Sequence, residues 1–364
     1  MGDLDFSHED AERAARYHRP LYVLFLGQLF LAAVLYSLLE WTCIGDRLWS
    51  AIAGSGWAGD AAAWAALVVV LAALVRLPLD AWRGLVYERR WGFSKETPRS
   101  WAGDWAKGLA IGLVLTVAVW LAAVALGRAL PGWWALPAAA ALALLTVVLS
   151  FLGPVVFEPL FNRFEPLADE ELAEGLRQLA REAGVPIRDV LVADASRRTT
   201  KSNAYVSGLG ATRRVVIWDT LLESAGEREV KLVIAHELGH RRERDDAKLT
   251  AFLAGGGIVG VLCLWAVLGT PTPRDLPLAF LVFLGLELVG LPALAALSRR
   301  AERQADRWSL DLTRDLEAYE RAHIGLARAN LSDLSPPRWA HLLLFTHPTP
   351  PERLAHGRAV LGGA

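Results

Sequence analysis

The chain has 364 residues, of which 54% are hydrophobic and 21% charged, and its formal net charge at pH 7 is −1. A mean hydropathy of +0.30 is too apolar for an ordinary soluble domain, and a net charge near zero argues against a nucleic-acid-binding protein. The two cysteines, Cys43 and Cys263, provide no disulfide framework and are not spaced as metal ligands. The composition therefore favours an integral membrane protein.

Six apolar runs are long enough to cross a bilayer as helices. They lie at about 20–39, 60–79, 108–127, 134–156, 249–269 and 277–297. The first run is too long for the core of a signal peptide and lacks a convincing small-residue cleavage site, so we expect an uncleaved anchor. Several tryptophans flank the runs, where anchors at the membrane interface are common. These are Trp41, Trp49, Trp57, Trp101, Trp105, Trp133 and Trp134.

The basic residues predict an orientation for these spans. The loop at 80–107, between the second and third runs, is the most basic, whereas the loops after the first, third and fifth runs each carry a single arginine. The positive-inside rule then places both termini, this loop and the long segment 157–248 in the cytoplasm. Arginine greatly outnumbers lysine, and alanine and glycine are abundant, which is typical of a GC-rich bacterial genome. The predicted location is therefore a bacterial inner (plasma) membrane.

The segment 157–248 is predicted to be a small α+β insert. Leu172 and Leu176 mark one face of a helix that ends near Gly184, and a strand follows at 190–194. Residues 203–207, 208–210 and 214–218 form a strand–turn–strand pattern. An extended peptide could pair with the edge of such a sheet through main-chain hydrogen bonds. A purely structural hairpin explains the same pattern equally well.

The strongest chemical signal is the sequence His236-Glu237-Leu238-Gly239-His240. Positions i and i+4 project from one side of an α-helix, so the two imidazoles can hold one metal ion. Glu237 is then placed to act on a water molecule at that metal, as in zinc-dependent peptidases. The surrounding stretch 229–244 has an apolar face and no proline, and we expect its helix to continue into the fifth span. The competing interpretation is a surface helix that carries two histidines by chance.

A catalytic zinc site needs a third protein ligand, and Glu302 is the best candidate. His240 lies about 13 Å before the fifth span along a continuing helix, and Glu302 lies about 7 Å beyond the sixth. Since these two spans form an antiparallel hairpin, both extensions should emerge on the cytoplasmic side. Asp306, one turn beyond Glu302, is placed to orient a liganding histidine. An ordinary salt bridge to Arg303 or Arg307 is the alternative for Asp306.

The fold class expected from these elements is a mainly α, polytopic membrane protein with about six transmembrane helices and a small cytoplasmic α+β metalloprotease domain. We divide the chain into four parts: a transmembrane region at 1–156, the insert with the metal-binding helix at 157–248, a transmembrane hairpin at 249–297, and a cytoplasmic C-terminal part at 298–364.

The chain resembles the type I CAAX prenyl proteases, which are integral-membrane zinc metallopeptidases. The resemblance runs in order from about residue 80 to the C-terminus, and several short motifs carry it. They are Trp91–Phe93, Pro159–Asn162, Phe164–Leu167, Ser202–Tyr205, Asp219–Leu222, His236–His240, Ser298–Arg299, Glu302 with Asp306, His347–Pro348 and Arg353.

The resemblance implies a role for each matching position. His236, His240 and Glu302 would bind one Zn²⁺ per chain, and Glu237 would activate the water. Two further roles concern substrate: Asn203 and Ala204 would lie on the edge strand that holds the substrate backbone, and His347 would face the substrate carbonyl. Arg353 matches a nearby basic position, which we assign to substrate binding. The transmembrane helices of this family enclose a water-filled chamber.

The predicted function is therefore a membrane-embedded zinc metalloendopeptidase that cleaves peptides or membrane-associated proteins near the cytoplasmic face. Its partners would be a peptide or membrane-protein substrate and the lipid bilayer, and not nucleic acid. This chain departs from the eukaryotic members of the family in two ways. The eukaryotic members have an additional N-terminal transmembrane helix. A bacterial chain is also not expected to meet prenylated CAAX proteins. A quality-control membrane protease and a non-proteolytic channel, translocon-associated factor or scaffold are the alternatives.

Overall fold

The computed structural model describes residues 6–208 and 210–362, which are predominantly helical. The membrane-associated half consists of α1 (His8–Trp41), the short α2 (Cys43–Ile52), α3 (Trp57–Ala81), α4 (Pro98–Ala129) and α5 (Ala135–Leu152). A π-helical turn (Trp82–Tyr87) and Glu88–Arg90 extend α3, while Gly153–Phe157 and Glu158–Phe161 extend α5 in the same way.

The second half begins with β1 (Phe164–Pro166), α6 (Glu170–Glu182), β2 (Asp189–Ala193), β3 (Ala204–Ser207) and β4 (Arg214–Trp218). It continues with α7 (Asp219–Ser224), α8 (Glu227–Arg242), α9 (Asp245–Leu268) and α10 (Leu276–Thr313). The last helices are α11 (Leu316–Asn330), α12 (Arg338–Leu344) and α13 (Pro350–Gly362). Single 3₁₀ turns occur at Ala195–Arg197, Gly210–Thr212 and Pro273–Asp275.

Six helices of the described part of the chain are long and apolar enough to span a bilayer, which confirms the six runs predicted from the sequence. They are α1, α3 with its extension, α4, α5, α9 and α10. In each helix the protein itself buries only 11–17% of the most apolar window. Such a large exposed apolar surface is compatible with lipid around the helices and not with water.

Three buried indoles fix the turn between α9 and α10. Trp64, Trp120 and Trp134 donate hydrogen bonds from Nε1 to the carbonyl oxygens of Arg274 (2.9 Å), Pro273 (3.0 Å) and Gly269 (2.6 Å), respectively. The sequence predicted Trp134 as an interface anchor, but its side chain is only 1% exposed. Its neighbour Trp133 is 68% exposed, as the prediction requires.

The sheet of the insert has the strand order β1-β2-β4-β3, so β3 lies at an edge. β3 pairs antiparallel with β4, which confirms the predicted strand–turn–strand unit, while β2 and β4 are parallel. The inner strand β4 is buried on both faces: Val215, Val216 and Ile217 are inaccessible to solvent. In the turn, Gly208 has φ +82°, and a Cβ there would lie 2.3 Å from the carbonyl oxygen of Thr212, so only glycine fits.

The expected continuous helix from His240 into the fifth span is wrong. α8 ends at Arg242, Arg244 adopts a left-handed conformation with φ 57°, and α9 starts at Asp245. A non-glycine residue in this region costs about 1–2 kcal/mol. No glycine or proline in the sequence marks this break between the helices. A contact between His240 and Asp245 joins the two sides of the turn.

Candidate active site

The two histidines of α8 face each other across one helical turn. Their Nε2 atoms are 3.1 Å apart and their ring planes are perpendicular. The opposite face of α8 carries the predicted apolar residues, and Val230, Ile234 and Leu238 are buried in the core of the insert. Because this core fixes the rotation of the helix, both imidazoles point away from it toward α10.

Glu302 of α10 completes the group. One carboxylate oxygen, Oε2, lies 3.3 Å from Nε2 of His236, and the other, Oε1, lies 3.3 Å from Nε2 of His240. The helices come this close because Gly239 has no side chain: a Cβ there would lie 3.2 Å from the Cα of Ala305. The structure thus brings together the three residues that the sequence predicted as ligands.

The arrangement fits a divalent metal ion. Ligands at about 2.0–2.1 Å from a tetrahedral zinc are about 3.3 Å apart, close to the distances found here. Oε2 of Glu302 is buried, and no group among the described residues has hydrogen-bonding geometry to it. The nearest imidazole nitrogen, Nε2 of His236, is 3.3 Å away. Two imidazoles and a carboxylate are a donor set of catalytic zinc sites.

Asp306 is fully buried and lies behind His236. Its Oδ1 is 2.9 Å from Nδ1 of His236, so this ring nitrogen can hold a proton while Nε2 keeps its lone pair for a metal. Nε of Arg353 donates to Oδ2 of Asp306 at 2.9 Å, and its Nη1 lies 3.6 Å from Glu302. Asp306 thus contacts both His236 and Arg353, and among the described residues neither Arg303 nor Arg307 pairs with it. Its orienting role stays a prediction.

Asp245 plays the corresponding part for His240, and the sequence analysis missed it. Its Oδ2 lies 2.9 Å from Nδ1 of His240. Asp245 comes five residues after His240, and residues five apart do not lie on the same face of a continuous helix. The left-handed residue Arg244 turns the chain so that Asp245 reaches back. The only hint in the sequence was a carboxylate shortly after the motif. Whether that carboxylate reaches His240 depends on the turn at Arg244.

Glu237 lies between the ligands and the open cleft. Burial raises the pKa of its carboxyl above the usual value, and the neighbouring histidines oppose this shift. A cation bound at the ligand atoms would favour the carboxylate further. Glu237 is thus suited to exchange a proton with a water molecule in the cleft.

Two cavities, of about 550 and 360 Å³, meet at Glu237 and Glu302. The edge strand β3 runs along both: Asn203 and Ala204 line the larger cavity, and residues 205–207 line the smaller. His347 projects into the larger cavity with a 63% exposed side chain, and its Nε2 lies 3.1 Å from Oε1 of Glu302.

Further polar residues that the sequence analysis did not identify fix the edge strand. Glu158, in the second helical extension of α5, accepts a hydrogen bond from Ser207 Oγ at 2.9 Å and forms an ion pair with Arg214 at 3.1 Å. Arg241 of α8 donates to the carbonyl oxygen of Val206. The strand beside the ligands is therefore fastened both to the membrane helices and to the metal-binding helix.

Comparisons with known proteins find matches to both halves of the chain. The family models for peptidase family M48 and for the CAAX prenyl protease N-terminal region with five membrane helices match residues 166–360 and 5–163, respectively. The uncharacterized metalloprotease YhfN of Bacillus subtilis is 31% identical over 306 residues, which are 79% of this chain and 70% of the relative. The CAAX prenyl protease 1 homolog of Arabidopsis thaliana is 31% identical over 310 residues, with the same coverage of 79% and 70%.

A solved structure shares the whole architecture. The crystal structure of S. mikatae Ste24p superposes with a TM-score of 0.82 at 25% identity and covers 96% of this chain and 89% of that one. The N-terminal family model describes five membrane helices. In residues 6–163 of this chain, four helices have spanning length, and α2 has only 10 residues.

The contact of Asp245 with His240 leads to a prediction for metal affinity. Replacing Asp245 with alanine should weaken metal binding by about 10–100-fold, because His240 loses the partner that fixes its tautomer. Asp245→Asn, which can still accept a hydrogen bond, should lie between the alanine variant and the wild type. The measurement is metal retention against a graded series of chelator concentrations. Asp246→Asn is the control, and equal metal loss in both positions would contradict the assignment.

Proposed function

The chain belongs to peptidase family M48, and on this basis we propose that His236, His240 and Glu302 hold the zinc ion with which it hydrolyses peptide bonds. Membership makes the chain a membrane-embedded metallopeptidase. The observation that carries the residue assignment is the convergence of three donor atoms within 4.8 Å of one another, with Glu237 beside them. A non-proteolytic scaffold would have no need for Glu237 or for this donor set.

The bound zinc would supply Lewis-acid polarisation of the scissile carbonyl and a lowered pKa for a coordinated water. The remaining steps belong to the protein. Glu237 would accept a proton from the water as its oxygen attacks the carbonyl carbon. It would then return this proton to the amide nitrogen as the carbon–nitrogen bond breaks and the amine leaves.

His347 is proposed to stabilise the negative charge that develops on the carbonyl oxygen. Its side chain is exposed in the larger cavity, within 3.1 Å of Glu302, so a hydrogen bond to a substrate oxygen near the ligands is within reach. Thr346 Oγ1 lies 3.0 Å from Nδ1 of His347 and can orient the ring.

The substrate is proposed to lie extended along β3. Asn203 and Ala204 line the larger cavity, and β3 continues past Glu237 into the smaller one. An edge strand can bind a peptide backbone in any sequence, and side-chain pockets add selectivity. For Arg353, which we expected to bind substrate, the contacts with Asp306 and Glu302 support a role in holding these carboxylates.

We propose a peptide or membrane-associated protein as substrate, cleaved next to the bilayer. Several relatives are named CAAX prenyl proteases, and one is a metalloprotease of a bacterium. We further propose that the chain lies in a bacterial inner membrane with its termini and the zinc site in the cytoplasm. The support for this orientation is the concentration of basic residues in the loop at 80–107.

The proposed mechanism predicts the effect of Glu237→Gln. The variant should keep its zinc but lose about 10²–10⁴-fold in peptide cleavage, because the amide cannot accept the proton. The assay compares a farnesylated CAAX-type peptide with its unprenylated twin, and metal content is measured on the same samples. Glu227→Gln, at the exposed start of α8, is the control. Full activity of Glu237→Gln with zinc bound would refute the role assigned to Glu237. A second variant, His347→Ala, tests the mechanism without changing a metal ligand or its neighbour. It should lower the cleavage rate with zinc retained.

The proposed orientation predicts which side of the membrane each loop occupies. Cys43 is exposed at the start of α2, after the first span. In a Cys263→Ser background, a membrane-impermeant maleimide added to spheroplasts should label Cys43. With both cysteines replaced by serine and Lys95 replaced by cysteine, labelling should require permeabilised membranes. The reverse pattern would contradict the orientation.

A further inference from the structure

A third cavity, of about 540 Å³, lies away from the catalytic cleft. It is formed where the start of α4, the chain segment after α5 and the 3₁₀ turn Ala195–Arg197 meet. None of its lining residues belongs to the two cavities at the metal site.

The charges lining this cavity are strongly unbalanced. Five cationic side chains face a single carboxylate, that of Asp104. The cations are Arg99, Lys107, Arg163, Arg197 and Arg198. A group of like charges around one cleft raises the local potential and favours an anion.

Three nearby carboxylates compensate only part of this charge, and one of them, that of Glu96, lies outside the lining near Arg197 and Arg198. Asp104 serves two cations, with Oδ1 3.0 Å from Lys107 and Oδ2 3.3 Å from Arg198. Asp194, which is not a lining residue, pairs with Arg197 at 3.1 Å. Arg99 and Arg163 have no carboxylate within ion-pair distance among residues 6–208 and 210–362.

Further polar groups lie at this cavity. Nε of Arg198 is buried and has no hydrogen-bond acceptor among the described residues. Thr97 and Ser100 also line the cavity, and Thr97 caps the N-terminus of the 32-residue helix α4. Planar guanidinium groups match the oxygens of a phosphate, and a helix N-terminus adds a favourable dipole.

The cavity lies where the membrane helices begin. Lys107 directly precedes the apolar run of α4, and Leu160, 48% exposed, belongs to the apolar rim with Pro159 and Phe161. We propose that this cavity binds a phosphate group, and its apolar rim at the membrane boundary favours the headgroup of an anionic phospholipid as the source.

The experiment uses the full-length chain in detergent, with ligand affinity measured from the shift of the unfolding midpoint. The probes are a short-chain phosphatidylglycerol, a short-chain phosphatidylcholine and inorganic phosphate. Phosphatidylglycerol should stabilise the wild type more than phosphatidylcholine. The double variant Arg99→Gln/Arg163→Gln should bind it about tenfold or more weakly, since each basic residue near a membrane surface contributes substantially to anionic-lipid binding.

The control is Arg13→Gln/Arg19→Gln, which removes the same charge from exposed positions of α1 outside the cavity and should bind phosphatidylglycerol as the wild type does. The unfolding midpoint without added lipid shows whether each variant is folded. Stabilisation by inorganic phosphate alone, lost in Arg99→Gln/Arg163→Gln, would support the site with a soluble phosphate as its source. Equal effects of both lipids with no effect of inorganic phosphate, or equal losses in both double variants, would overturn the proposal.

Discussion

The close contact between α8 and α10 is the constraint on which the active site depends. Gly239 lies against Ala305, and a Cβ at position 239 would be only 3.2 Å from the Cα of Ala305, so the backbone there would have to shift by a few tenths of an ångström. At this separation Glu302 reaches both histidines, and Asp306, one turn further along, reaches His236. Since α10 is also the sixth helix long and apolar enough to span a bilayer, the same contact joins the proposed metal site to the membrane-spanning part of the chain. Chemistry and membrane position are thus set by one helix pair.

Electrostatics gives a second reason to expect a divalent cation. Four carboxylates surround the ligand atoms, those of Glu237, Asp245, Glu302 and Asp306. The cationic side chains in contact with them are Arg353 beside Asp306 and Lys248, whose Nζ lies 2.9 Å from Asp245. Burial and Arg353 lower the pKa of His236, but its hydrogen bonds with Asp306 and Glu302 outweigh them and raise it to about 10. A divalent ion at the ligand atoms would take the place of protons on the histidines in compensating the carboxylates. Buried charges without such compensation are costly, so the carboxylates are best understood as part of a metal site.

The sequence predicted the features that local periodicity encodes. Apolar runs identified the six spans, the i, i+4 spacing identified His236 and His240, and strand alternation identified the β3–β4 hairpin. Glu302 was within reach because the membrane topology places two distant segments on one side. The features that it missed depend on tertiary geometry. Asp245 needs the left-handed turn at Arg244, and Glu158 meets Ser207 of β3 across 49 residues of sequence, a contact that no local pattern encodes.

The phosphate-binding cavity belongs to the same class of missed features. Its cations come from three segments far apart in sequence, and the basic loop by itself predicted only an orientation in the membrane. Trp134 was misassigned for a related reason. Its place beside an apolar run is typical of an interface anchor, yet it packs inside the protein and donates to Gly269. Periodicity and flanking position do not distinguish a lipid-facing side chain from a protein-facing one.

The most direct test is the zinc content and zinc coordination of the purified full-length chain, measured by mass spectrometry and X-ray absorption beside Glu302→Ala. The account predicts about one zinc per chain in the wild type, with two imidazole nitrogens and a carboxylate oxygen among its ligands. Glu302→Ala should lose most of this zinc while keeping its fold. Full zinc occupancy with unchanged coordination in Glu302→Ala would contradict the central claim that this carboxylate, brought by α10, completes the site.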